Sequence, residues 1–123
     1  MRYISTRGLA PPVTFLDAVL GGLAPDGGLY VPESWPRLSD DVLGRAGIAP
    51  YAQTAAHVLH AFAGEDLTLG QCRAMADAAY GEQWANAAIC PLRQIGPGEW
   101  LLELFHGPSL AFKDVAMQLL APL

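Results

Sequence analysis

Between Tyr51 and Tyr80 the apolar residues recur at helical spacing twice, each run bracketed by start and stop signals. Tyr51, Ala55, Val58, Leu59 and Phe62 share one face of the first run, and Gly64 follows its end. Thr68 opens the second run with Gln71 three residues on. That pairing is a capping box, in which each side chain satisfies a backbone N–H the helix itself cannot. Leu69, Cys72, Ala76 and Ala79 carry the period to Tyr80, and Gly81 ends it. The spacing predicts helices over 51–62 and 69–80.

Around this pair the signals are shorter. Thr14 reads as an N-cap with Asp17 three residues on; Phe15, Ala18, Val19 and Leu23 follow at helical spacing, and Gly21-Gly22 stops or frays the turn. Pro25-Asp26-Gly27-Gly28 is a turn, and Leu29-Tyr30-Val31, closed by Pro32, predicts a short extended segment. A further short helix over 38–46 is capped by Ser39.

After Pro91 the texture changes. Leu92-Arg93-Gln94-Ile95, then Gly96-Pro97-Gly98, then Trp100 to Phe105 predicts a β-hairpin. Pro108 and Ser109 then open a last helix, with Phe112, Val115, Ala116, Leu119 and Leu120 on its apolar side. The fold class is therefore α+β: a mainly helical part over 1–90 with a short β element, then a hairpin and the beginning of a helix over 91–123. One hairpin and one helix cannot cover both faces of an α/β sheet. The second part is expected to expose an apolar face and a strand edge, and to self-associate.

Composition narrows the partners. Apolar residues make up 52% and charged residues 15%, enough for a core in one domain and unlike a disordered chain. The formal net charge is −5 with the acids scattered, which argues against nucleic acid and against an anionic membrane surface. No apolar run approaches the roughly 20 residues of a bilayer span. No secretory leader opens the chain, and Cys72 and Cys90 form no Cys-x-x-Cys pair; a cytoplasmic location with free thiols is expected.

Several residues invite a chemical reading. His57 and His60 stand three apart on a helix, but no acid or thiol lies within a further turn to complete a metal site. They are expected on a polar face, and Cys72 in the core. Gly27-Gly28 and Gly96-Pro97-Gly98 lead into strands rather than helix N-termini, and Pro97 lacks a donor, so both are turns and not phosphate cradles. Lys113 is the single lysine among seven basic residues. With Ser109 as N-cap, it falls near the fourth helical position. There the helix dipole disfavours an ammonium by a few tenths to about 1 kcal/mol. Ala111 and Phe112 beside it favour the neutral amine, the form that attacks a carbonyl carbon. Against this, Asp114 would offset the dipole, and on these residues alone a surface lysine capping a helix is the better reading.

Three strings change that balance: Tyr3-Ile4-Ser5-Thr6-Arg7-Gly8, Asp26-Gly27-Gly28-Leu29-Tyr30-Val31-Pro32, and Leu102-Glu103-Leu104-Phe105-His106-Gly107-Pro108-Ser109-Leu110-Ala111-Phe112-Lys113-Asp114. In this order and at these separations they resemble the threonine synthase family of pyridoxal-phosphate enzymes, and they run through the whole chain. The resemblance implies a fold type II enzyme in which a largely helical N-terminal domain precedes the cofactor domain. It implies conversion of O-phospho-L-homoserine to L-threonine and inorganic phosphate, with the lysine matching Lys113 holding pyridoxal 5'-phosphate as a Schiff base and shuttling protons. Phe112 is implied as a neighbour of the cofactor. Ser109 stands where the family often has Thr, and either hydroxyl can cap a helix. In the family the Gly-rich loop for the cofactor phosphate, the group facing the pyridine nitrogen and the substrate-phosphate site all lie beyond residue 123. The resemblance thus casts the chain as an N-terminal portion that is inactive on its own and binds the cofactor only weakly. A related phospho-lyase, or a non-catalytic assembly module, remains the alternative.

Overall fold

The computed structural model describes residues 1–121 and is α+β, as the patterning predicts. A two-stranded antiparallel ribbon joins β1 (Tyr3–Ser5) to β2 (Tyr30–Pro32), pairing Tyr3 with Pro32 and Ser5 with Tyr30. Helix α1 (Phe15–Gly21) lies between them in sequence and is capped by Thr14, whose side chain accepts from the Asp17 N–H. Helices α2 (Asp40–Arg45), α3 (Tyr51–Ala63) and α4 (Leu69–Ala79) follow. A second antiparallel hairpin pairs β3 (Leu92–Gly96) with β4 (Glu99–Leu102), and α5 (Asp114–Leu120) comes last.

The core lies between α3 and α4. Ala52, Ala56, Leu59 and Ala63 of α3 meet Cys72 and Ala76 of α4, with Leu67 in the connection. Four of these seven residues are alanine, so the two helix backbones approach closely and the core is thin. Phe15 and Leu16 pack against it from α1, and Leu119 from α5. The capping box forms as expected, with the Thr68 N–H donating to Gln71 Oε1 at 2.9 Å and the Gln71 N–H to Thr68 Oγ1. Ser39 caps α2 by accepting from the Val42 N–H, without the reciprocal bond.

The two halves of the N-terminal ribbon are tied to this core and to each other by single polar groups. Tyr3 is buried and its hydroxyl donates to the Phe62 carbonyl at 2.8 Å, fastening β1 to α3. The Asp26 carboxylate accepts from Ser5 Oγ at 2.7 Å and from the N–H groups of Gly28, Leu9 and Ala10. A side chain at Gly28 would overlap Ser5 Oγ, and Gly27 has φ +77°, so both glycines are required by this knot rather than by a ligand. Tyr3-Ile4-Ser5 itself gave no strand signal. Three residues are too few to show a period, and the strand exists because β2 and Val13 satisfy its backbone.

Candidate active site

Lys113 is reached through a loop whose turns are held one by one. Strand β4 ends at Leu102, three residues short of the expected Phe105: the Glu103 N–H still donates to the Pro91 carbonyl at 3.0 Å, one step past the Leu92–Leu102 pair, but Pro91 has no N–H to continue the ladder. The Glu103 carboxylate then accepts from His106 Nε2 at 2.7 Å, and Arg93 of β3 approaches its other oxygen at 3.9 Å. The His106 carbonyl accepts from the Ala85 N–H at 2.9 Å, which anchors the loop to the segment after α4.

The next turn departs from the sequence expectation. Ser109 does not cap a helix, and residues 109–113 are not helical; α5 begins at Asp114, with Lys113 as its N-cap. Both polar groups of Ser109 are instead taken by Asp114: its N–H donates to Oδ2 and its hydroxyl to Oδ1, each at 2.7 Å. Asp114 is 6% exposed, so these charge-assisted bonds replace water at a buried carboxylate. Gly107 is buried against it; a Cβ there would fall 2.5 Å from Asp114 Cβ and Oδ2. The loop closes with Leu110 at φ +61°, its N–H donating to the Gly107 carbonyl. Asp114, which the sequence offered only as a neighbour offsetting the dipole, is the centre of the loop. The signal for it was the spacing of Gly107, Ser109 and Asp114.

Lys113 and Phe112 therefore lie together on the outside of this turn. Lys113 is exposed and Phe112 is 64% exposed, so the partial burial expected from Ala111 and Phe112 is not found. The helix that follows is locked from behind: the Tyr80 hydroxyl, at the end of α4, donates to the Val115 carbonyl at 2.8 Å. Tyr80 in turn stacks edge-on with Tyr51 at 4.8 Å and touches Trp84. Burial, with Cys90 and Tyr80 next to it, pushes the Tyr51 phenol up to about 12.

The other candidates stay apart from this loop. His60 Nδ1 pairs with the Leu67 carbonyl at 2.9 Å, and His57 lines a polar cleft with Gln53 and Arg73. Among the described residues no group of His, Cys, Asp and Glu could hold a metal. Cys72 is fully buried in the core, and burial raises its thiol. Cys90, which has no evident partner in sequence, lies beside the Tyr51 side chain, and burial raises its thiol. Both thiols are free. Gly96-Pro97-Gly98 makes the tip of the β3–β4 hairpin, with Gly98 at φ +74°.

With this geometry in place, comparison with known proteins is decisive. Residues 2–80 match the family described as the threonine synthase N terminus. The chain belongs to the threonine synthase family. It is 48% identical over 124 residues to threonine synthase from Pseudomonas aeruginosa, covering all of this chain and 26% of that protein. It is 40% identical to threonine synthase from Methylobacillus glycogenes, again over its whole length and 27% of the relative. In three dimensions it superposes on PLP-bound threonine synthase from Brucella melitensis with a TM-score of 0.88 and 48% identity, over 98% of this chain and 26% of that one. The chain thus spans about a quarter of the relatives it matches, and it corresponds to their N-terminal portion.

Proposed function

We propose that this chain is the N-terminal part of a cytoplasmic, pyridoxal-phosphate-dependent threonine synthase that converts O-phospho-L-homoserine to L-threonine and phosphate, with Lys113 as its catalytic lysine. The reading divides the chain near residue 90, the helical N-terminal domain before it and the first hairpin and helix of the cofactor domain after it. One observation carries the assignment to Lys113. In a threonine synthase family chain its single lysine sits exposed on a loop that a buried carboxylate holds shut.

The residues present fit the cofactor in part. An accessible amine at Lys113 and an exposed aromatic ring at Phe112 suit its aldehyde carbon and its planar ring. When bound, pyridoxal phosphate supplies an electron sink for the substrate's carbon skeleton. Lys113 would hold the cofactor through Nζ and carry protons at that same atom, with the exposed ring of Phe112 beside it. Among the described residues no glycine-rich loop opens a helix for the phosphate, and the relatives are about four times as long as this chain. By itself the 123-residue chain is expected to hold the cofactor weakly and to turn over nothing.

The test follows phosphate release and threonine formation from O-phosphohomoserine. The whole protein is expected to be active, Lys113→Ala inactive, and the isolated chain inactive. Turnover of a different phosphorylated hydroxy-amino acid, with none of O-phosphohomoserine, would instead indicate a related phospho-lyase.

A further inference from the structure

The residue beside Lys113 does work that neither the family match nor the proposed reaction assigns. We infer that Asp114 is a positioning residue for Lys113, acting through Ser109 and Gly107; this rests on the reading of Lys113 as the cofactor lysine.

The geometry is that of a clamp. Consecutive residues at the head of α5 face opposite ways, Lys113 exposed and Asp114 6% exposed. Each carboxylate oxygen of Asp114 takes one donor from Ser109 at 2.7 Å. The four residues between those partners form one closed turn that includes Lys113. Gly107 packs directly on the Asp114 side chain, since a Cβ there would lie 2.5 Å from Asp114 Cβ and Oδ2. On the helix side, the Lys113 carbonyl accepts from Ala116 and Met117, and the Val115 carbonyl is held by Tyr80. The Lys113 backbone is therefore fixed from both directions while its side chain stays free to reach. A bidentate buried acceptor makes the loop rigid where a single hydroxyl cap would let it fray. Displacing a reacting group by about 1 Å can lower a rate on the order of 100-fold.

This separates positioning from mere stability, because the amine is retained in every variant. The experiment uses the cofactor-loaded whole protein and four variants. Asp114→Ala removes both bonds, and a kcat loss on the order of 100-fold is expected with KM for O-phosphohomoserine nearly unchanged. Asp114→Asn keeps the volume and one acceptor, guards against misfolding in the alanine variant, and should fall between it and the parent. Ser109→Ala should lose about tenfold. Ser109→Thr keeps both donors and should stay within about twofold. A readout besides turnover is the rate at which Lys113 exchanges a bound aldehyde: free pyridoxal phosphate is added to the stripped protein, and uptake on Lys113 is followed by borohydride trapping and peptide mapping. Uptake should slow in the order Ser109→Thr, Ser109→Ala, Asp114→Ala.

Parent-like kcat and uptake in a folded Asp114→Asn and Asp114→Ala would overturn the inference. So would a Ser109→Thr variant as impaired as Ser109→Ala. Failure of the underlying reading looks different, since Lys113→Ala would then keep activity whatever happens at Asp114.

Discussion

Asp26 and Asp114 do the same kind of work at opposite ends of the chain: each closes a turn by accepting several short hydrogen bonds. At Asp26 the Ser5 hydroxyl, then the N–H groups of Gly28, Leu9 and Ala10, hold the carboxyl below its ordinary range. A carboxyl depressed in the folded state stabilises the fold above the unfolded value of about 3.9, and that contribution is lost as pH falls through the folded value. Asp26→Asn should therefore unfold at lower denaturant than the parent at pH 7, and the gap should close as both are taken to acid. A gap of constant size from pH 7 to pH 2 would show that the charge at Asp26 contributes nothing. The residue pattern explains why the two family strings around Ser5 and Asp26 belong together: the carboxylate of one accepts from the Ser5 hydroxyl of the other and from the Leu9 and Ala10 N–H groups just after it.

Among the elements, the helices were legible and the loops were not. Thr14, Ser39 and Thr68 cap α1, α2 and α4 as read, since a cap and a period are local properties. The core face of α4 follows from spacing, with Cys72, Ala76 and Ala79 buried. That of α3 lies one position on from the Tyr51, Ala55, Val58 and Phe62 stripe, because the small side chains of Ala52, Ala56 and Ala63 let the two helices approach, leaving Val58 36% exposed. Strand β1 was missed because its partner lies 25 or more residues away. Helix α5 starts four residues later than Ser109 predicts, because that residue has cap chemistry but a tertiary acceptor, Asp114, takes its donors. The β3–β4 hairpin was legible as a hairpin, and its environment follows from the unfinished second part. Leu92, Ile95, Trp100, Leu101 and Leu102 are all exposed, between 47% and 63%. We expect the isolated 123-residue chain to associate through this ribbon. Sedimentation should give a mass that rises with concentration, and Leu101→Lys should return it toward monomer. A parent chain that stays monomeric at high concentration would refute this.

For the whole molecule, the α3–α4 core and the N-terminal ribbon form a base, and the segment from Pro91 onward carries the exposed Lys113. The base reaches the candidate site through two bonds, Ala85 to His106 and Tyr80 to Val115. No described helix is long and apolar enough to cross a membrane. The relatives are about four times this length, and the proposed function assigns the rest of the site to residues outside this chain. What these 123 residues contribute is an amine held in place. Because Lys113 is their single lysine, borohydride reduction of the cofactor-loaded whole protein, followed by peptide mapping, tests that contribution directly. The cofactor should be found on the peptide containing Lys113 and on no other, and Lys113→Ala should lose the visible band of bound cofactor. Cofactor recovered on a different lysine, or an undiminished band in Lys113→Ala, would contradict it.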